Sequence, residues 1–522
     1  MPILDVFDTI WFRLQRLDLY RLYGSVEGDV WVEMGNAIIA LNNPVKFGEE
    51  ISKSSDIYRL WSNVRQCLGC KGHKCTVFIR QFAPTDSAEN FHFYENGLKI
   101  LRQLRHPHIT KYIDCAVNKH EIWLLTERIQ ILDLAISNLS PIEIHSGLTH
   151  ILSALIFLHN KAYICHNNVC PYSIYVTSDG QWKLGGFECA QKLVNSKHWV
   201  QTDFVHSIKI AEFAPVEDKP MLQMMVSVDI PPTARDVFAF GKLIFYALPY
   251  LEKHLMTETV DCLQRVAHRL TENDAHKRGE LSGLPTSYPE AFSNHLTVAV
   301  DFLQNIHAKS CAEKQDFFAT IVSQLKALPE EVIGRRLVPL LLSRHILLDS
   351  VAQEKLIPIV LQPTGILIAS IEYLIFPYTC LILQSHNVLL MNTFYVHLKI
   401  FEVSNEGKDG LLCESSFQKW IIPELVKIFA VHETAVRLAL LSYFHLYMRY
   451  FSRSQLEMVL YELSLGMQDK QDKIVSASLH SMAHLVEVIG GEAVTGLTRK
   501  KIFANGRPKV CFILMISSII IL

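Results

Sequence analysis

The loop at residues 164–176, ICHNNVCPYSIYV, carries polar side chains at the spacing of a catalytic loop for phosphoryl transfer. Such a loop places a proton acceptor two residues after a histidine and a Mg²⁺ ligand five residues after that acceptor. After His166, these two positions hold Asn168 and Ser173. An amide accepts no proton at neutral pH, and a neutral hydroxyl binds Mg²⁺ less well than an amide oxygen. The loop therefore has the outline of a catalytic site without its reactive groups.

Three further positions that would complete such a site are also changed. In the segment KLGGFE, Gly186 stands where an aspartate would bind Mg²⁺, and glycine offers no side-chain ligand. In the segment CTVFIR, Phe78 replaces the lysine that would bind the phosphates. The glutamate that would hold that lysine is replaced by Gly97, with Glu95 two residues away. We therefore expect no catalysis, no cofactor and no bound metal in this cleft.

The elements around these residues follow one another in the order of a protein-kinase domain. A helix start is predicted at Ser140, Pro141 and Glu143. Serine can cap the N-terminus of a helix, proline suits the first helical position, and glutamate three residues after the serine completes a capping box. Asp179 and Gly180 predict a hairpin turn between two short strands. The predicted strands lie at 74–81, 122–126, 173–177 and 182–184, and the predicted helices at 90–104 and from 141 onward.

Two supporting motifs of that domain are retained. The segment ARDVFAFG matches the D-x-W-x-F-G helix that supports the catalytic loop, with Asp236 kept and Phe238 in place of tryptophan. The segment APVE resembles the A-P-E motif, and Arg278 is the candidate ion-pair partner of its Glu217. The sequence thus keeps internal supports while it loses the groups that handle charge.

From about residue 316 the sequence pattern is purely helical. Segments 435–445 and 474–484 share an apolar pattern and lie 39 residues apart, each after a polar pair. A period near 40 residues with paired helices is typical of HEAT repeats. An irregular helical bundle is the alternative interpretation of the same pattern.

Four segments together resemble the Scy-like pseudokinases: RHPHITKYID, LSALIFLHNKAYICHNNV, DGQWKLGGFE and RLVPLLL. The resemblance covers roughly residues 65–362 and 406–503. It implies an α+β, two-lobed protein-kinase-like domain followed by all-α HEAT-type helical repeats. It also implies a role in intracellular trafficking, Golgi organisation or ezrin-linked cell migration, with ezrin-type or vesicle-coat proteins as partners.

The predicted domains follow from this resemblance. Residues 61–310 form the kinase-like domain, and residues 311–362 and 405–497 form the helical repeats. The flanking segments 1–60 and 498–522, the latter basic and then apolar, fit neither region. The remaining segment, 363–404, is an apolar insertion where the resemblance stops, and a gene-model artefact is the preferred interpretation.

Composition limits the possible partners. A net charge of −2 over 522 residues gives no long-range attraction to nucleic acid, so no nucleic-acid partner is expected. Asp5 and Asp8 interrupt the first apolar stretch, so we expect no secretory start and reduced cysteines in the cytosol.

A short cluster of possible metal ligands suggests a zinc site: Cys67, Cys70, His73 and Cys75. It contains one C-x-x-C pair, but the sequence gaps between the other members are tight for a four-ligand site. A turn with reduced thiols is therefore the preferred interpretation.

Three segments raise the question of membrane contact. Residues 366–383 and 510–522 are apolar, but the first contains Glu372 and Pro377 and the second is short for a span. A start at Met34 would make Gly35 a candidate for myristoylation, although the position four residues after it is Ile39 rather than serine or threonine. A lone acyl chain gives only reversible binding, so we expect at most peripheral contact.

The sequence therefore predicts a catalytically inactive, kinase-like scaffold or adaptor. We expect it in the cytoplasm, with association to Golgi or vesicle membranes or the cell cortex. Two alternatives remain open from the sequence: a weakly active or ATP-binding kinase, and a membrane-anchored protein.

Overall fold

The computed structural model describes residues 45–52, 61, 63–69, 74–84, 86, 88–193, 210–218, 230–364 and 410–496. The chain divides into two compact units after Val298. Several predictions fall outside the described residues and stay predictions: the start at Met34, lipidation of Gly35, the apolar segments 366–383 and 510–522, and the ligand roles of Cys70 and His73. The predicted domain boundaries also stay predictions.

The first unit begins with a five-stranded antiparallel sheet in the order β1-β2-β3-β5-β4. The predicted strand at 74–81 is β3, and its burial is typical of a central strand because five consecutive residues are buried. The predicted strand at 122–126 is β5. The five strands are β1 Val45–Ser52, β2 Asn63–Gly69, β3 Lys74–Gln81, β4 Tyr112–Val117 and β5 Glu121–Glu127.

Helix α1, Ala88–Gln103, connects β3 to β4 and begins two residues earlier than predicted. Its buried face includes Tyr94, Leu98 and Leu101, which recur at helical spacing and join the main apolar core. The glutamate in the first turn and the arginine in the last turn complement the helix dipole. This packing fixes which face of α1 points toward the candidate site.

The second lobe is organised around helix α3, Pro141–Phe157, which follows a short α2, Leu132–Ala135. The predicted capping box is present: the Glu143 carboxylate accepts from the Ser140 N–H at 3.0 Å and from its hydroxyl at 2.8 Å. A turn of π-helix, Leu158–Ala162, extends the helix. Because α3 is buried along most of its length, it forms the centre of this lobe's core.

The predicted hairpin is formed by β8 and β9, which join β6 in a three-stranded sheet. Gly180 has φ 81°, as its turn requires. Ser173 was predicted in the strand, but its N–H bonds to the Cys170 carbonyl in a turn, so β8 begins one residue later. The strands are β6 Ile129–Ile131, β7 Ile164–Cys165, β8 Ile174–Thr177, β9 Trp182–Leu184 and β10 Gln191–Lys192.

The rest of the first unit is helical, as the kinase-like fold class predicts. Helix α4, Ala234–Leu251, is the most buried of these helices and packs against both α3 and α5. The helices are α4 Ala234–Leu251, α5 Thr257–Leu270, α6 Leu284–Ser287 and α7 Pro289–Phe292, and α8 His295–Gln304 crosses the division between the units.

The described part of the second unit is helical, which confirms the predicted all-α class. Helix α17 packs against α20, so the two segments that share a sequence pattern lie together. Their assignment as HEAT repeats stays a prediction. The helices are α9 Cys311–Lys326, α10 Glu330–Val332, α11 Val338–Leu341, α12 Arg344–Leu347, α13 Ser350–Lys355, α14 Ile357–Val360, α15 Glu414–Ser416, α16 Ile422–Phe429, α17 Thr434–Ser442, α18 Phe444–Tyr447, α19 Arg453–Gly466, α20 Asp472–Ile489 and α21 Gly491–Thr495.

Within the described ranges, one helical stretch is long and apolar enough to cross a membrane, at residues 141–162. It contains α3, and 67% of its apolar window is buried inside the protein. Burial of this kind is typical of the core helix of a folded domain, so this stretch gives only weak evidence for a membrane span.

We expect Gly147→Ala to destabilise the chain although alanine favours helices. A methyl group at Gly147 would lie 2.2 Å from the ring of the fully buried Trp182. The overlap should outweigh the gain in helix propensity and lower the free energy of unfolding by about 1–2 kcal/mol, as measured by urea denaturation. Gly283→Ala is the matched control, because no atom lies within 4 Å of its added methyl group. A Gly147→Ala chain as stable as the unmodified chain would contradict this packing.

Candidate functional site

The loop at residues 164–176 is held by one buried carboxylate on α4. Asp236 accepts hydrogen bonds from the backbone N–H groups of His166 and Asn167, both at 2.7 Å. The Nε2 of His159 lies 2.9 Å from the same carboxylate. Burial raises the pKa of Asp236, but the His159 hydrogen bond and the other donors outweigh it, so the pKa is lowered and the group stays ionised.

His166 serves this loop as a structural residue. Its Nε2 donates to the Gly185 carbonyl at 2.7 Å, and its Nδ1 accepts from the Asn168 N–H at 3.3 Å. Burial lowers the pKa of His166 more than the nearby Asp236 raises it, so the ring stays neutral. Its ring meets the Phe187 ring in a T-shaped contact with ring centroids 4.9 Å apart. Both ring nitrogens are occupied, which leaves no free base for a substrate.

The two loop positions that would carry chemistry face inward. Asn168 is 7% exposed and Ser173 is fully buried. The Ser173 hydroxyl accepts from the Cys170 N–H at 3.1 Å and donates to the Cys170 carbonyl at 3.0 Å. This hydroxyl therefore closes a turn within the loop, where it is unavailable as a metal ligand.

Phe78 fills the position of the phosphate-binding lysine with an aromatic ring. It is 2% exposed and packs against Tyr175 from β8 and against Trp61, with ring centroids 5.4 and 5.6 Å away. Gly185 leaves room for the Tyr175 ring, because a methyl group there would lie 2.3 Å from it. The contact of Phe78 with Tyr175 joins the five-stranded sheet to the three-stranded sheet, and the Trp61 ring also packs on Phe78. Trp61 and Tyr175 were not predicted to take part.

Gly186 keeps the backbone shape of the metal-binding segment without its ligand. It lies in the left-handed region with φ 67°, and a methyl group there would lie 2.8 Å from the Ser173 Cβ. A side chain at this position would be strained by its backbone angle and would clash with the loop. The packing of the loop therefore requires glycine at position 186.

The structure brings Gly97, rather than Glu95, against the site. A methyl group at Gly97 would lie 2.9 Å from the Glu188 backbone nitrogen, so α1 makes close contact with the segment after Gly186. Glu95 lies on the surface, where its carboxylate pairs with Lys99 at 3.1 Å. No glutamate of α1 therefore points at Phe78.

Glu188 is a buried acid that sequence reasoning placed in the motif but did not recognise as a site residue. It is 5% exposed, and its Oε2 has no hydrogen-bond partner among the described residues. Burial raises the pKa of Glu188 to about 7. The only signal available in the sequence was an acidic residue in place of a glycine, which gives no information on burial.

The predicted supports of the loop are confirmed in geometry. Arg278 is fully buried and makes a two-point ion pair with Glu217, at 2.5 and 2.9 Å. Its guanidinium also lies 5.0 Å from the centroid of the Phe238 ring. A second buried pair joins Arg235 to Asp218 at 2.7 Å. These contacts fix α4 and, through Asp236, the loop.

The described residues contain no group of three or more histidine, cysteine or acidic side chains that could hold a metal ion. Cys67 and Cys75 of the suggested zinc cluster lie opposite each other on β2 and β3. Cys70 and His73 lie outside the described residues.

Comparison with known proteins agrees with this geometry. Residues 62–215 match the protein kinase domain family. The chain is 32% identical over 433 residues to the mouse protein named "Protein-associating with the carboxyl-terminal domain of ezrin", which covers 80% of this chain and 52% of the relative. It is also similar to the Dictyostelium discoideum "Probable inactive serine/threonine-protein kinase scy1", at 24% identity over 47% of this chain and 30% of that protein.

A third relative is the human "SCY1-like protein 2", at 24% identity over 42% of this chain and 26% of that protein. The chain spans about half the length of the mouse relative, and the matches to the other two cover less than a third of their length. The resemblance seen in the sequence is confirmed. The kinase domain match, the two-lobed fold and these relatives show that the chain is similar to the Scy-like pseudokinases.

Proposed function

We propose that this chain is a catalytically inactive, kinase-like scaffold that binds protein partners. The observation that carries the proposal is the ring of Phe78, which is buried between Trp61 and Tyr175 where a kinase would hold the phosphates of ATP. Phosphoryl transfer depends on placed charge, and this position now supplies only apolar surface.

The loss of a positively charged group is accompanied by the gain of an acidic one. Glu188 is buried, and its Oε2 would lie 3.7 Å from a methyl group at Gly186. A nucleotide triphosphate entering this space would meet a carboxyl group instead of a cation. Electrostatic repulsion and steric exclusion therefore both oppose nucleotide binding.

The supports of the domain favour a binding role. The buried pair of Arg278 with Glu217 and the contacts of Asp236 hold the second lobe in one arrangement. A buried ion pair contributes little net stability, and its role here is to favour one arrangement of the helices over others. A domain that keeps these contacts without a functional cleft is suited to present a fixed surface to another protein.

The partner is proposed from the mouse relative, whose name describes association with the carboxyl-terminal domain of ezrin. We extend this to an ezrin-type partner for the present chain, with vesicle-coat proteins as the second candidate. The helices of the second unit would add an extended surface. Roles in trafficking, Golgi organisation or cell migration, and a cytoplasmic location with contact to vesicles or the cell cortex, belong to the same proposal.

Two other functions compete with this proposal. An active or ATP-binding kinase would need relocated catalytic groups, and the buried ring of Phe78 argues against it. The membrane-anchored alternative depends on apolar segments that lie outside the described residues. The apolar stretch that is described, residues 141–162, is largely buried inside the protein. Extraction of the full-length chain from membranes by alkaline carbonate tests the second alternative, since release into the soluble fraction excludes it.

We expect Mg²⁺ and ATP to leave the thermal unfolding of the full-length chain unchanged. A ligand present at a hundred times its dissociation constant would add about 2.7 kcal/mol and raise the midpoint by several degrees. An active kinase run under identical conditions is the positive control. A Mg²⁺-dependent rise that disappears when one acidic residue near the cleft is changed would support the kinase alternative instead.

We expect Glu188→Gln to become increasingly more stable than the unmodified chain as the pH rises from about 5 to about 8. The folded pKa of about 7 exceeds the ordinary glutamate pKa of 4.5 expected in the unfolded chain, so the unmodified chain loses stability as Glu188 ionises. The glutamine does not ionise, and its advantage should approach about 3 kcal/mol at the upper pH, by urea denaturation.

Glu95→Gln is the matched control for this measurement. Its hydrogen bonds with Lys99 and His92 lower the pKa of Glu95, so its removal should give no gain at higher pH. A pH-independent difference between Glu188→Gln and the unmodified chain would show that Glu188 is not a buried acid.

We expect the purified full-length chain to be retained on a resin that carries the carboxyl-terminal domain of ezrin. A resin that carries an unrelated protein of similar charge is the control, because it reports non-specific adsorption. Equal recovery from both resins would contradict the ezrin-type partner and would direct the search to vesicle-coat proteins.

A further inference from the structure

Two cysteines face each other across neighbouring strands on the side of the sheet opposite to Phe78. Cys67 on β2 and Cys75 on β3 are directly paired in the antiparallel register. Their sulfur atoms lie 3.1 Å apart, and the residues are 3% and 2% exposed. This is a close pair of reduced thiols in the described part of the chain, and neither thiol has a role in the proposed scaffold function.

The geometry of the pair is close to that of a disulfide. Opposed residues in an antiparallel pair have Cβ atoms about 4.5–5.5 Å apart, and a disulfide needs about 3.5–4.5 Å. The sulfur atoms must approach by about 1 Å to reach the bonding distance of about 2.05 Å. A small rotation of both side chains, with a slight narrowing between the strands, supplies this movement.

We propose that Cys67 and Cys75 form a reversible cross-strand disulfide when the chain meets a peroxide. The sulfur of one cysteine attacks a peroxide oxygen and becomes a sulfenic acid, while the peroxide is reduced to water. The second sulfur then attacks the sulfenic sulfur, the new S–S bond forms, and the hydroxyl leaves as a second water. Two thiols and one hydrogen peroxide thus give one disulfide and two waters.

The surroundings of the two thiols determine how fast they are oxidised. The pair lies in a small apolar cluster with Val77, Trp123 and Leu125. The hydrogen bond from Cys75, followed by burial, raises the pKa of the Cys67 thiol, so the reactive thiolate is scarce and oxidation is slow. A thiol reductant that attacks one sulfur of the bond returns the pair to two thiols by thiol–disulfide exchange.

The bond would act on the sheet without entering the cleft. Along β3, residues 75 and 77 belong to the small cluster, whereas Phe78 points to the other face and joins the main core. Oxidation therefore fixes β2 to β3 and closes the short loop between them. Because a cross-link restricts the unfolded chain, the oxidised form should unfold at a higher temperature than the reduced form.

The test is mass spectrometry of the full-length chain after treatment with hydrogen peroxide in the presence of a metal chelator. Remaining thiols are alkylated, and trypsin then releases the peptides QCLGCK and CTVFIR. We expect these two peptides to be linked, lighter by two hydrogen atoms, and separated again by a reducing agent. Fragmentation of the linked pair identifies which cysteine of QCLGCK carries the bond.

Three variants make the result specific. Cys67→Ser and Cys75→Ser should each abolish the link and the rise in unfolding temperature, while Cys70→Ser should keep both. Cys311 is exposed and serves as an internal measure that peroxide and alkylating reagent reach their targets. A link through Cys70, full alkylation of Cys67 and Cys75 after Cys311 has been oxidised, or zinc retained on the pair after chelation would each overturn the proposal.

Discussion

The buried carboxylate of Asp236 is the contact on which the rest of the candidate site depends. It is fully buried, and an unpaired charge at such a place would cost several kcal/mol. Two backbone N–H groups and the His159 ring satisfy it, so the carboxylate and the loop stabilise each other. These contacts place the backbone of His166 and Asn167, from which the loop continues to the buried Asn168 and Ser173.

The substitutions in this domain separate structure from chemistry. Ion pairs that hold one element to another are kept, as in the contact of Arg278 with Glu217. Groups that would bind phosphate or metal are replaced by a ring at Phe78 and by a bare backbone at Gly186. The cleft of a kinase contains charged groups that repel one another or need a ligand to balance their charge. Their loss removes this unfavourable contribution to the free energy of folding. The buried ring of Phe78 and the bare backbone of Gly186 are therefore compatible with a stable domain that has no ligand.

Individual helix starts, strands and turns could be predicted because the residues that determine them are close together in the sequence. The capping box at Ser140, the strand at 74–81 and the hairpin at Gly180 each depend on neighbouring residues. The aromatic filling of the cleft could not be predicted in this way. Trp61, Phe78 and Tyr175 come from distant parts of the chain, and only tertiary packing brings their rings together. The same holds for Glu188, whose residue type was visible but whose burial was not.

The aromatic filling also changes how the two lobes are held. Phe78 belongs to the five-stranded sheet and Tyr175 to the three-stranded sheet, and their rings meet at 5.4 Å. A bound nucleotide could bridge these sheets only in proportion to its concentration, because ligand stabilisation follows mass action. Side chains of the same chain make their contact at a fixed, high effective concentration. Under the proposed scaffold function, the surface that this domain would present to a partner is then independent of the supply of ATP.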